Sequence, residues 1–103
     1  DVKDDPVLFR EWLLKNVKGV GMKESSHFIR NIGLSHNQLA ILDVHILKNL
    51  KEIGVIDEIP KSLTKKKYLE IEAKMKKFAD RIGINLDELD ILLWSKETGI
   101  IFK

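Results

Sequence analysis

Residues 17–23 read Val-Lys-Gly-Val-Gly-Met-Lys, two glycines one residue apart between two stretches of helical apolar spacing. Glycine reaches positive φ without steric cost, so Gly19 and Gly21 predict a tight bend that folds the flanking helices into a hairpin. The backbone N–H groups of Gly21, Met22 and Lys23 then fall at the start of the second helix, where they lack intrahelical partners and the macrodipole adds partial positive charge. A glycine-lined helix N-terminus suits an anion, and a phosphodiester is the natural candidate because the backbone can approach it closely. Lys23 is expected beside such a strand, with Asp43 facing it if the chain doubles back.

The remaining punctuation divides the chain into about five helices and no sheet. Asp5-Pro6 starts the first, with Asp5 as N-cap and proline at the first helical position. Leu8/Trp12 and Phe9/Leu13/Val17 recur at i, i+4 and predict an apolar stripe on a helix running to about Asn16. Phe28, Ile29 and Ile32 mark the second helix, which Gly33 ends as a left-handed cap. Leu34–Gln38 is a polar loop. Leu39-Ala40-Ile41-Leu42 has the look of a buried strand but no second strand to pair with, so it is expected to be a buried connector. Asp43 then caps a third helix whose core face is Ile46, Leu47, Leu50 and Ile53, stopped by Gly54. Ser62 or Thr64 begins a long helix with Tyr68, Leu69, Met75, Phe78, Ala79 and Ile82 in register up to Gly83. Asn85 caps a last helix carrying Leu86, Leu89, Ile91, Leu93 and Trp94, and Thr98-Gly99 releases the tail Ile100-Ile101-Phe102-Lys103.

A chain of 103 residues, 44% hydrophobic, supports one core at most. Its 18 basic and 16 acidic residues leave a formal charge of only +2, so any nucleic-acid argument rests on local distribution. Lys61 to Arg81 holds eight basic and three acidic residues, a solvated face that attracts DNA weakly. The absence of cysteine excludes disulfides and thiolate metal sites and fits an intracellular protein. No apolar run approaches the roughly 18 residues that span a bilayer, so no membrane partner is expected. The first residue is Asp rather than Met, as in a processed chain or a piece of a longer one.

Two residues carry the chemical interest, and each has an ordinary competitor. Lys23 can be a plain phosphate contact, but a cation in the first helical turn opposes the dipole with no structural return. A lysine partly desolvated there can act as an amine nucleophile that forms a Schiff base. Asp43 is explained by capping alone, yet the apolar run before it anchors its carboxylate near the core and aims it. A fixed carboxylate stabilises positive charge developing on a sugar as its base leaves. His45 is either a helix-surface histidine or a phosphate donor. The spacing of His27, His36 and His45, with no cysteine, does not fit zinc. Trp94 and Phe102 read as core by composition.

Val17-Lys18-Gly19-Val20-Gly21-Met22-Lys23, followed by Leu42-Asp43-Val44-His45, resembles the helix-hairpin-helix plus Gly/Pro-Asp signature of base-excision DNA glycosylases. The longer pattern through Glu24-Ser25-Ser26-His27-Phe28-Ile29-Arg30-Asn31-Ile32-Gly33, with Trp94, Thr98-Gly99 and Lys103 in the tail, is similar to the archaeal-type 8-oxoguanine DNA glycosylase/AP lyase branch.

The resemblance implies an all-α bundle in which Lys23 attacks the sugar C1′, expels the base and leaves a Schiff base that undergoes β-elimination. It makes Asp43 the acid that assists, Trp94 an aromatic wall of the base pocket, and Lys103 a group that distinguishes oxidised from normal guanine. Gly19, Gly21, Met22 and His45 become phosphate contacts. The backbone carbonyls of Lys15, Val17 and Val20 become holders of a structural monovalent cation, and no other cofactor is implied. The partner is double-stranded DNA containing 8-oxoguanine, engaged in the cytoplasm or nucleoid by a protein that is monomeric when complete. Members of the branch are about twice as long, so residues 1–103 are expected to be the C-terminal helix-hairpin-helix domain, with an N-terminal helical part and the opposite pocket wall absent. The competing expectations are a non-catalytic helix-hairpin-helix DNA-binding module, with Lys23 an ordinary cation, and a purely structural helical domain.

Overall fold

Proline at the first helical position forfeits no hydrogen bond, and the chain uses it to open α1 (Pro6–Asn16) after a short 3-10 turn at Val2–Asp4. Asp5 caps α1, its Oδ1 accepting the N–H of Val7 at 3.0 Å and of Leu8 at 3.3 Å. The computed structural model describes residues 2–98, with side chains through residue 95, so the expected tail from Gly99 to Lys103 lies outside the described residues. The elements that follow are α2 (Met22–Asn31), α3 (Val44–Glu52), α4 (Lys65–Ile82) and α5 (Leu86–Thr98), with no strand among the described residues. Gly33 closes α2 in the left-handed region at φ +81°, where Leu34 N–H donates to the Ile29 carbonyl at 3.0 Å. Thr64, not Ser62, caps α4, its hydroxyl accepting from Lys67 N–H at 3.2 Å.

Only one of the two expected apolar lines on α1 is buried. Phe9 and Leu13 pack with Ile29, Leu39, Val7 and Leu34 into a small cluster that joins α1 to α2, while Leu8 and Trp12 are exposed, and so is Val17, which falls at the C-cap beyond the last helical turn and leaves the line. Phe28 on α2 and Ile32 at its C-cap are likewise outside the core, as are Ile53, Leu69 and Ile82; Phe28 meets Phe9 edge to face at 6.5 Å. A larger cluster built on Ile46, Leu47, Leu50, Tyr68, Ile71, Met75, Leu89 and Leu93 holds α3, α4 and α5 together.

The connector Leu39–Leu42 passes from the smaller cluster, which takes Leu39, to the larger, which takes Ala40 and Leu42. A buried extended segment must find partners for its peptide groups, and with no strand beside it they come from side chains. Arg30 donates to the Leu39 carbonyl, and Glu72 Oε2 accepts the Ala40 N–H at 2.8 Å. The Tyr68 hydroxyl donates to the Ala40 carbonyl at 2.5 Å and accepts the Leu42 N–H at 3.3 Å, while Asp90 Oδ2 accepts from Ile41 at 3.4 Å. Four side chains on α2, α4 and α5 therefore set the path of the segment that delivers Asp43.

The two hairpin glycines turn out to do different jobs. Gly19 has φ +85°, whereas Gly21 is extended at φ −97° and acts as the N-cap of α2. A Cβ on Gly21 would fall 2.7 Å from Glu24 Oε1, the mobile end of a side chain. Gly19→Ala is therefore expected to destabilise the protein by about 1–2 kcal/mol through backbone strain alone. Gly21→Ala, displacing only the Glu24 carboxylate, should cost about half of that or less. Urea unfolding of the two variants checks the order.

Candidate active site

The bend places the start of α2 where its first-turn amides face outward, with one qualification. Glu24 Oε1 accepts the Gly21 N–H at 3.2 Å, so that donor already has an anionic partner, and a phosphate would have to displace it. Along α2, Lys23, His27 and Arg30 stand at i, i+4 and i+7, which puts them on one helical face. Lys23 is exposed rather than desolvated.

Asp43 is half-buried at the end of the connector, where its Oδ1 accepts the Ile46 N–H at 2.8 Å and caps α3. The cap fixes one carboxylate oxygen and thereby the direction of the other. α5 contributes Asp90 and Trp94, four residues apart on one helical face, with Ile91 one turn before Trp94. Between these elements lies a cleft of about 460 Å³ lined by Lys23, Glu24, His27, Arg30, Ile41, Asp43, Ile46, Asp90, Ile91 and Trp94. Trp94 is not core. Half its surface is exposed, as is 60% of that of Ile91, and together they give the cleft an apolar part.

Two of the lining residues, Arg30 and Asp90, belong to a part-buried charge cluster. Arg30 pairs with Asp90 Oδ2 and lies 3.0 Å from Asp87 Oδ1, tying α2 to α5. Burial pushes the Asp90 carboxyl up to about 6, outweighing the attraction of Arg30 and the Ile41 N–H, with the Asp87 charge acting in the same upward direction. Since the folded protein holds this proton more tightly than the unfolded chain, the contribution of Asp90 to stability rises as pH falls from about 6 towards the ordinary carboxylate value of 3.8. Relative to Asp90→Asn, the wild type should gain on the order of 3 kcal/mol across that window. Urea titrations of both at several pH values read the difference, and a gain in the opposite direction would refute the assignment.

Lys23, Asp43 and Trp94 are thus brought into one cleft by α2, the connector and α5. Gly19, Gly21 and Met22 lie at the bend leading into it. His45 is exposed on the first turn of α3 and does not line the cleft. The carbonyls of Lys15, Val17 and Val20 surround the end of α1 and the bend, and that of Val17 accepts the Val20 N–H at 3.4 Å. Lys103 lies outside the described residues. No group of three potential metal-binding side chains occurs among the described residues. From sequence, His27 is considered only as a zinc ligand, which its spacing excludes, and no role is assigned to Arg30 or Asp90. The repeat of polar residues at 23, 27 and 30 was the available signal for the first two, whereas Asp90 is joined to Arg30 only by the tertiary fold.

The sequence model of the family described as 8-oxoguanine DNA glycosylase, Ogg-HhH, matches residues 1–84. An 8-oxoguanine DNA glycosylase/AP lyase of Fusobacterium nucleatum is 57% identical over 94 residues, covering 91% of this chain and 43% of that protein. A crystal structure of the Methanocaldococcus jannaschii 8-oxoguanine glycosylase/lyase, in complex with a 15mer DNA containing 8-oxoguanine, superposes with a TM-score of 0.81 at 44% identity, covering 96% of this chain and 46% of that one. The 8-oxoguanine DNA glycosylase of Thermotoga maritima superposes with a TM-score of 0.78 at 47% identity, covering 91% of this chain and 44% of that one. The chain spans less than half the length of each of these relatives. With the glycine hairpin, the carboxylate at the head of α3 and the all-α architecture already in place, the chain belongs to the helix-hairpin-helix family of 8-oxoguanine DNA glycosylases.

Proposed function

We propose that this chain is the C-terminal helix-hairpin-helix domain of a bifunctional DNA glycosylase/AP lyase that excises 8-oxoguanine. The observation that carries the reading is the shared cleft of Lys23 and Asp43, walled by Trp94. The damaged nucleotide leaves the duplex, because its C1′ is inaccessible within the stack. The Lys23 Nζ lone pair forms a bond to C1′ as the glycosidic bond breaks, and the base departs with that electron pair and takes up a proton. Asp43 stabilises the positive charge that develops on the sugar. The nitrogen then gives up a proton and the C1′–O4′ bond breaks, O4′ taking up a proton, which opens the sugar and leaves an iminium that acidifies C2′. Loss of that proton expels the 3′ phosphate, and water then releases the lysine. The amine itself serves as electron sink, so this sequence requires no cofactor.

Trp94 supplies a face for the extruded base to stack on. Lys103 is assigned the discrimination of oxidised from normal guanine, from the family pattern. Gly19, Gly21, Met22 and His45 grip phosphates next to the lesion. The carbonyls of Lys15, Val17 and Val20 suit a monovalent cation in kind, being hard oxygen donors near a helix C-terminus, where the last carbonyls lack intrahelical partners and the dipole is negative. Such a cation would bridge to a DNA phosphate. Exposed Leu8 and Trp12 on α1 are suited to packing against the remainder of the complete protein, which acts as a monomer on double-stranded DNA inside the cell.

The exposure of Lys23 favours one competing reading, a non-catalytic DNA-binding module with Lys23 as a phosphate contact. Borohydride reduction of the complete protein on an 8-oxoguanine duplex separates the two. The enzyme is trapped as a covalent adduct, and a binder yields none.

A further inference from the structure

We propose that Tyr68 and Ser26 are positioning residues for the chemistry at Lys23, an inference that rests on the glycosylase/lyase reading above. Neither side chain lines the cleft between Lys23 and Asp43, and both are buried. Tyr68, on α4, donates to the Ala40 carbonyl at 2.5 Å and accepts the Leu42 N–H at 3.3 Å. It therefore clamps the connector on both sides of Ile41, ending one residue before Asp43. Ser26, on α2, donates to the Met22 carbonyl at 2.7 Å, and that carbonyl belongs to the peptide bond joining Met22 to Lys23. The two hydroxyl oxygens are 3.5 Å apart.

With both hydroxyl protons given to carbonyls, the two oxygens touch without bonding each other, and the hydrogen-bonded route from the backbone that carries the amine to the backbone that carries the carboxylate runs from Ser26 through Arg10 and Glu72 to the Ala40 N–H. The elements concerned are far apart in sequence, and Lys23 is exposed, so its distance from Asp43 depends on where the backbone of α2 is held. Arg10 donates to Ser26 Oγ at 3.1 Å and places its guanidinium 5.8 Å from the centre of the Tyr68 ring, which holds both hydroxyls from the α1 side. Catalytic groups displaced by about 1 Å lose on the order of a hundredfold in rate, so a hydroxyl remote from the substrate can govern turnover.

The test is a double-mutant cycle in the complete protein, with single-turnover release of 8-oxoguanine as the readout and lesion-duplex affinity measured alongside. Tyr68→Phe and Ser26→Ala should each slow release by about tenfold or more while changing Kd by less than about threefold. On an Asp43→Asn background the Tyr68→Phe effect should shrink to less than about twofold, because its target has already been neutralised. Equal effects on both backgrounds, or unchanged release in the single variants, would overturn the inference. Should Tyr68→Phe fail to fold by circular dichroism, Ser26→Ala carries the same cycle. Wild type and Lys23→Gln run in parallel, so that failure to trap wild type counts against the glycosylase reading, whereas normal trapping with additive effects counts against the positioning role alone.

Discussion

Lys23→Gln in the complete protein is expected to eliminate the borohydride-trapped adduct and to slow base release by at least about a thousandfold, with lesion-duplex affinity reduced by less than about fivefold. Lys23 is the one primary amine among the described residues lining the cleft, and the guanidinium of Arg30 is always protonated and no nucleophile. Glutamine keeps much of the length and polarity of the side chain while removing the lone pair that attacks C1′. Affinity should survive because the hairpin amides and the surrounding charge remain. Salt dependence separates this outcome from the binding-module reading. A lysine that only neutralises a phosphate contributes about 0.9 to the slope of log K against log salt, so its loss would flatten that slope by about one unit. An amine directed at C1′ leaves the slope almost unchanged. An adduct of normal yield in Lys23→Gln would show that another amine does the work.

The parts of the molecule visible from sequence are those decided within a few residues. Asp5-Pro6 and Gly33 fix their helix ends through local hydrogen bonds and backbone freedom and stand where local chemistry predicts, while of the two caps it allows for α4, Ser62 and Thr64, the structure uses Thr64. The pairing of Lys23 with Asp43 in one cleft followed from the hairpin and the doubled-back connector. What stayed hidden depends on distant partners. Periodicity places Leu8 with Trp12 and Phe9 with Leu13 on neighbouring lines of one helix but does not say which line meets α2, and only the second does. Gly21 and Gly19 look alike in sequence, yet one needs positive φ and the other serves as an extended cap. Composition alone reads Trp94 as core because tryptophan is apolar, and only the family resemblance put it at the pocket, whereas the structure leaves it half exposed and lining the cleft. The connector was legible as buried and unpaired; that Tyr68 and Glu72 supply its partners was not, since they stand 28 and 32 residues from Ala40.

Glu72→Ala is expected to destabilise the protein by about 3–5 kcal/mol, a large share of the roughly 5–15 kcal/mol that typically holds a fold together. Arg10 and Glu72 form a two-pronged pair, NH1 to Oε2 at 2.6 Å and NH2 to Oε1 at 2.8 Å, with essentially no solvent access to either side chain. Removing the carboxylate leaves a guanidinium buried and always charged, because arginine cannot lower its cost by giving up the proton. The same change strips the Ala40 N–H of its acceptor, a further penalty on the connector. Arg10→Met leaves the opposite charge behind, but a carboxylate can protonate, so its cost should be the smaller of the two. The combined variant Arg10→Met, Glu72→Met removes both charges and should be more stable than Glu72→Ala, although it still lacks a partner for Ala40. Urea unfolding gives all three free energies. If the double variant proves less stable than Glu72→Ala, burial of unpaired charge is not what makes this pair indispensable, and because neither variant has an acceptor for the Ala40 N–H, the difference must lie in how two methionines pack in place of the pair.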